Sequence, residues 1–365
     1  MNTELLFQLY AIHSPSGSEK KMRKFIKRYI YQKCGECVVE KDKFGNLLVT
    51  KGVSDTYPCL ASHIDQVQKN HSKDFKCVVV DDEVLGWSCK CHSQQGLGAD
   101  DKNGIFVCLE CLREFDVLKV AFFVGEEIGC VGSSDVDLDF FKDCRFIVEP
   151  DRMNGSDLIT SMGVGDVCSD DFIKAIGAES FGYKEAVGSI TDVGELVERG
   201  VGISCLNLSC GYYGAHTDHE TTVLSELANC LDFVRHIIMT CTDVYPFEYK
   251  GWYGYGGYGS YRGYGHYSRF YMDEYDEYYS GGYYDDDMQT MREYLAHGIS
   301  LQDIKNTYLP DFFAVPFFSK DEAVSIIEDM YDEIQDEKCF DDAEEEESGD
   351  VEKGWIDYLR KVNVS

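Results

Sequence analysis

Apolar positions recur every three to four residues over 3–12 and again over 18–33, the spacing of two helices that each bury one face. Ser14-Pro15-Ser16-Gly17 separates them, and Ser16 or Ser18 supplies a cap for the second. The pattern then shortens. ECVVEKDKFGNLLVTKG reads as two strands around a turn at Phe44-Gly45-Asn46, YPCLASHID as a buried strand, and FKCVVVDDEVLGW as a strand pair. A helix is expected over about 103–115, followed by strands in LKVAFFVGEEIG and CRFIVEPDR. SDDFIKAIGAESFG reads as a helix capped by Ser169. GVGISCLNLSCGYYGAHTDHE is a strand running into a polar loop, and LSELANCLDFVRHIIMTC is an amphipathic closing helix. Strands alternating with helices predict an α/β fold, a three-layer sandwich with a mostly parallel central sheet. Ligand sites in such sheets lie at the carboxyl ends of the strands.

The periodicity stops near Pro246. A unit over 1–245 is therefore expected, then a Tyr/Gly-rich low-complexity linker over 246–287, which has no apolar pattern to organise a core. Helical spacing returns in a small accessory region, 288–365, which also carries the acidic run FDDAEEEESGD.

Charge narrows the partners. A formal net charge of −32 repels phosphate over most of the surface and argues against nucleic acid. No stretch is long and apolar enough to cross a membrane, and the N-terminus lacks the basic start and unbroken apolar core of a signal peptide. The 16 cysteines are scattered through apolar runs, where thiols act as small hydrophobes in a reducing compartment, so a cytoplasmic protein is expected. Cys34-x-x-Cys37 and the Cys89/Cys91/His92 cluster lack the second half of a zinc site and read as plain thiols.

Chemistry collects where the strands end. His63 and His216 each follow an apolar strand and have acids close by. With Asp65, Asp100, Asp101, Glu126, Glu127 and Asp151 they form a set of imidazoles and carboxylates suited to one or two divalent metals. Taken singly, each acid on so acidic a chain is surface decoration. The ordered set is not, because every member falls at a strand end. Three ligand carboxylates leave two divalent ions with residual positive charge, which favours a bridging hydroxide, the nucleophile of a two-metal hydrolase.

The pieces SHID, GADDKNGI, GEEIG, EPDR and TDVGELVERGVGISCLNLSCGYYGAHTDHE together resemble the cocatalytic two-zinc exopeptidases: leucyl-type bacterial aminopeptidases and the relatives of peptidase T and carboxypeptidase G. The resemblance spans about residues 1–241. It implies that His63 and Asp151 hold one metal, Glu127 and His216 the other, and that Asp100 bridges them. It implies Glu126 as general base and Asp65 as the group that orients His63. Asp192 and Glu220 fall into supporting or pocket positions, Asp101 braces the turn, and Arg152, Tyr212 and Tyr213 are candidate substrate contacts. The lid domain that peptidase T relatives insert between the positions of Asp151 and His216 has no room here. The implied function is a metal-dependent exopeptidase, an aminopeptidase acting on short peptides with two divalent ions, zinc first and cobalt or manganese as alternatives. A dipeptidase or N-acyl-amino-acid deacylase using the same metals is the alternative within hydrolases. An interaction protein that keeps the domain as a relic is the alternative outside them. The oligomeric state is left open.

Overall fold

The computed structural model describes residues 1–68, 71–162 and 165–250. The Tyr/Gly-rich segment from 251 onward and the accessory region 288–365 lie outside the described residues.

Helices α1 (Thr3–Tyr10) and α2 (Lys20–Lys33) come first, then strands β1 (Cys37–Lys41), β2 (Leu47–Lys51) and β3 (Tyr57–His63). Strands β4 (Phe75–Val80), β5 (Glu83–Ser88) and β6 (Ser93–Gln95) precede α3 (Ala99–Glu114) and β7 (Leu118–Phe123). Helix α4 (Val131–Asp135), strands β8 (Cys144–Arg152), β9 (Asp157–Met162) and β10 (Gly165–Asp166), and helix α5 (Asp170–Ile176) follow. The described chain is completed by β11 (Lys184–Gly188), α6 (Asp192–Glu198), β12 (Cys205–Ser209), β13 (Tyr212–Tyr213), β14 (Thr221–Val223) and α7 (Leu224–Thr240).

The main sheet runs β1-β2-β7-β3-β8-β12-β9-β10, with β11 beside β9. Its centre, β7-β3-β8-β12, is parallel, and antiparallel pairs extend it on both sides. All seven residues of β3 are buried, because helices cover both faces. Helices α1, α2, α3, α5 and α7 lie over one face, around a core that includes Phe106, Phe122, Phe146 and Phe233. Helices α4 and α6 cover the other, over Phe123, Ile147, Val193 and Cys205. The three layers agree with the apolar pattern of the sequence.

Local chemistry explains the element ends. The β1–β2 turn closes because Asp42 Oδ1 accepts the N–H groups of Phe44, Gly45 and Asn46, each at 2.9 Å. Ser169 caps α5 by accepting the Phe172 N–H. The expectation for α2 fails. Its N-cap is Glu19, with no side-chain cap bond, and Ser16 Oγ donates instead to Asp65 Oδ2 at 2.7 Å. A hydrogen bond donated to a buried carboxylate is charge-assisted and stronger than a neutral capping bond, so it sets where the Ser16 side chain points.

A second sheet, β13-β14-β5-β4 with β6 beside β5, stands next to the first. Its pairing sets Tyr212–Tyr213 against Thr221–Thr222, and Thr221–Val223 against residues 83–85. Strands of two or three residues carry no periodicity, so the sequence showed β13 and β14 only as polar loop. The chain between Asp151 and His216 forms β9 to β12, α5 and α6, parts of the main layers rather than a lid. The contacts also run on past residue 245. Tyr245 O accepts from Ser204 N–H at 2.8 Å, Phe247 N–H donates to Gly202 O, and Phe247 and Tyr249 pack against the α4/α6 core.

The described cysteines are all free thiols, most of them buried. No described helix is long and apolar enough to cross a membrane.

Candidate metal centre

Parallel pairing aligns the strand ends. His63, the last residue of β3, lies opposite Phe123 of β7, and Leu60 lies opposite Val148 of β8, so His63, the Gly125–Glu127 turn and Asp151 arrive at one edge. The GLGADDKNG segment enters that edge at the start of α3. Gly98 has φ +63, and a Cβ there would fall 2.8 Å from the Gln66 amide carbon. Asp100 and Asp101, joined by a cis peptide, have non-helical dihedrals inside α3. Their side chains part. Asp101 Oδ1 accepts the Gly104 N–H at 2.9 Å and its Oδ2 accepts the His63 N–H at 3.3 Å, so this residue braces the turn against β3. A Cβ on Gly104 would lie 2.4 Å from the Asp101 carboxylate, which requires glycine there. Asp100 faces the cleft.

Asp100 Oδ1 is 3.0 Å from His63 Nε2, and its Oδ2 is 3.2 Å from His216 Nε2. His63 Nε2 is also 3.5 Å from Asp151 Oδ1 and 3.9 Å from Glu126 Oε2. His216 Nε2 is 3.1 Å from Glu127 Oε2. Two groups that could hold a metal ion result, His63/Asp100/Asp151 and Asp100/Glu127/His216, each with candidate donor atoms within 4.8 Å of one another and with Asp100 common to both. His216 sits on the β13–β14 loop at φ +64, a region that costs a non-glycine residue about 1–3 kcal/mol. The loop is held there by the second sheet.

Supporting groups fix these side chains. Asp65 Oδ1 is 3.4 Å from His63 Nδ1, and the Asp65 carboxylate accepts from Ser16 Oγ, from Glu126 N–H at 3.0 Å and from Glu127 N–H at 3.3 Å. It thus positions the histidine and the two glutamates together. Burial pushes its carboxyl up, but His63, Ser16 and the Glu126 N–H outweigh burial and hold it below its ordinary value. Glu220, fully buried, accepts from Gly98 N–H at 2.6 Å and from Asp100 N–H at 3.2 Å. Burial, with Asp100 nearby, pushes its carboxyl up to about 7.

The ligand set fits a divalent cation. Glu127 Oε1 and Asp151 Oδ1 are buried with no hydrogen-bond partner, and an unsatisfied buried acceptor costs about 1–3 kcal/mol. Burial drives the Asp151, Glu126 and Glu127 carboxyls above their ordinary range, with mutual repulsion adding to it. Burial alone would lower His63, but Asp151, Asp100 and Asp65 raise it well above its ordinary value. Hydrogen bonds to Asp100 and Glu127 raise His216 to about 10. Without a cation the cluster relieves its negative charge by holding protons. Cation binding must therefore displace them. Titrating zinc or manganese chloride into metal-free protein in weakly buffered solution at pH 7 is expected to acidify it. An unchanged pH would refute the ligand assignment.

The cluster opens into a cavity of about 290 Å³ whose lining includes Asp100, Glu126, Glu127, Asp151, Arg152, Tyr212 and His216. Tyr212 is buried, with its hydroxyl 3.4 Å from Asp151 O. Tyr213 turns away and donates to Glu226 at 2.8 Å, and it is not part of the cavity wall. Strand alternation separates these neighbours. Asp192 is fully buried and accepts from Ser133 Oγ, outside the wall. Sequence reasoning missed Asn207. Its side chain accepts the Asp151 N–H at 3.2 Å and donates to the Asp151 carbonyl at 3.3 Å, clasping that ligand's backbone. Asn207 also lines the cavity, and its Nδ2 donates to Thr191 Oγ1, which in turn donates to the buried Glu149. A polar residue inside the apolar run CLNLS was the one available signal.

No protein-family model matches the sequence, and no curated protein matches it. Solved structures do. Aminopeptidase PepT from Bacillus cereus superposes with a TM-score of 0.56 at 15% identity, over 66% of this chain and 98% of that one. The chain has the fold of this peptidase. A tripeptidase from Staphylococcus aureus gives 0.54 at 16% identity, over 66% and 97%. A TET aminopeptidase from a marine-sediment Thaumarchaeota archaeon gives 0.52 at 14%, over 66% and 97%.

Proposed function

We propose that this protein is a metal-dependent exopeptidase, an aminopeptidase that hydrolyses short peptides. One observation carries the reading: the two oxygens of Asp100 face two separate histidines, each beside a further carboxylate, so that one side chain serves two ligand groups. His63 and Asp151 would hold one ion, Glu127 and His216 the second, with Asp100 shared. Two imidazoles and three carboxylates suit zinc, and the site would also accept cobalt or manganese. Divalent ions bound there would polarise the substrate carbonyl and lower the pKa of water.

The protein's own groups do the rest. Glu126 lines the cavity without belonging to either ligand group, and burial raises its proton affinity. It takes the proton of the attacking water and passes it to the leaving amine as the C–N bond breaks. Asp65 keeps the His63 ring oriented, Ser16 and the Glu126 N–H keep Asp65 in place, and Glu220 with Asn207 fix the backbones of Asp100 and Asp151. The surplus of acids favours a substrate ammonium. The free thiols fit a reducing compartment, the cytoplasm.

An N-acetylated tripeptide is expected to be cleaved at least a hundredfold less efficiently than its free form, since acetylation removes the positive charge this cluster selects. Comparison of kcat/KM for the two tests it. Faster cleavage of the acetylated form would replace the aminopeptidase reading with the deacylase one and leave the metal site standing.

A further inference from the structure

Among the described residues the cavity wall contains a single Lys or Arg side chain, Arg152, and its placement depends on an irregularity in β8. Successive strand residues point to opposite faces, so Asp151 and Arg152 should diverge. Against β12, however, Asn207 pairs with Glu149 and Ser209 with Arg152, so β8 spends one residue more than its partner over the same stretch. Such a bulge re-aims the side chains that follow it. Both Asp151 and Arg152 consequently line one cavity.

The guanidinium there is underused. Nε makes a loose ion pair with Asp157 at 3.6 Å, beyond hydrogen-bond range, and Asp157 also accepts from Asn154 Nδ2 at 3.1 Å. Arg152 Nε is buried without a hydrogen-bond partner among the described residues. The side chain retains 27% of its exposure. Met153, Ile159 and Ile190 form apolar wall on the same cavity. A guanidinium with hydrogen-bond donors left open in the wall of a partly apolar pocket can act as a carboxylate receptor. It also offsets the repulsion that Asp100, Glu126, Glu127 and Asp151 would otherwise exert on an anionic group.

We propose that Arg152 anchors a substrate carboxylate, so that the site selects peptides carrying one within its reach. This rests on the exopeptidase reading. The carboxylate has two sources, an acidic side chain on the N-terminal residue or the C-terminus of a dipeptide.

Three substrates separate them: Glu-Ala-amide carries only the side-chain carboxylate, Ala-Ala only the terminal one, and Ala-Ala-amide neither. Metal-loaded wild-type protein is expected to cleave at least one of the first two with kcat/KM ten times or more above the third. Arg152→Gln should erase that preference, and Arg152→Glu should reverse it toward Lys-Ala-amide. Calorimetric binding of L-glutamate and L-leucine amide to the same proteins gives a readout independent of turnover, with glutamate binding lost in Arg152→Gln. Preference for Glu-Ala-amide assigns the anchor to the side chain, and preference for Ala-Ala assigns it to the terminus. Equal cleavage of all three by wild type, or an equal loss for all three in Arg152→Gln, overturns the anchor. Failure of every substrate together with Arg152-dependent glutamate binding overturns the exopeptidase reading and keeps the anchor.

Discussion

Asp100→Ala is expected to yield a folded protein that binds neither metal equivalent tightly and has no measurable peptidase activity. The carboxylate reaches both imidazoles, at 3.0 and 3.2 Å, so its removal deprives both ligand groups at once. Loss of a merely supporting group in a metal site costs about 10–100-fold in affinity or activity. Loss of the shared ligand must exceed that. The fold should persist, because Asp101, not Asp100, makes the bonds that brace α3 against β3. Metal content after gel filtration, with a circular dichroism melt as control, is the measurement. A variant that retains two metal equivalents would show that Asp100 is not shared.

Glu126→Gln is expected to keep its metal and its melting temperature and to lose turnover by on the order of a hundredfold or more, the usual contribution of a positioned general base. Glutamine preserves the shape, and the Glu126 N–H donated to Asp65 belongs to the backbone. Only the ability to carry a proton disappears. Single-turnover rates measured beside metal content separate this outcome from ligand loss. Normal turnover would place the base elsewhere, and loss of metal would make Glu126 a ligand.

The two variants differ in a way the sequence foreshadowed. Adjacent acids at a strand end, Glu126-Glu127 and Asp100-Asp101, read as one undifferentiated charge cluster. Backbone direction gives the members of each pair different tasks. Asp101 turns inward to Gly104 and β3 while Asp100 faces the cleft. Glu127 reaches His216 while Glu126 stays outside both ligand groups. The resemblance suggested this division. The geometry supplies its cause, in the positive φ of Gly98 and Gly125 and in the grip of Asp65 on both glutamate N–H groups.

Other residues gave signals that did not disclose their partners. Ser16 looked like a helix cap and instead supports Asp65 from 49 positions away. Asn207 was one polar letter in an apolar strand. Arg152 was adjacent to a ligand, and strand alternation alone would have sent it to the opposite face.

The sequence by itself determined the layer order and the chemistry of the strand ends. Apolar periodicity is local, and a parallel sheet buried on both faces leaves polar residues nowhere to go except its ends. Tertiary structure decided which of those residues meet. The second sheet delivers His216 to Asp100 across a separation that no local pattern encodes. The bulge in β8 aims Arg152, and the register of β3 against β7 and β8 sets the distances around His63. Strand pairing joins segments far apart in the chain through backbone hydrogen bonds that are indifferent to side-chain identity, so register and bulges leave little trace in the residues themselves.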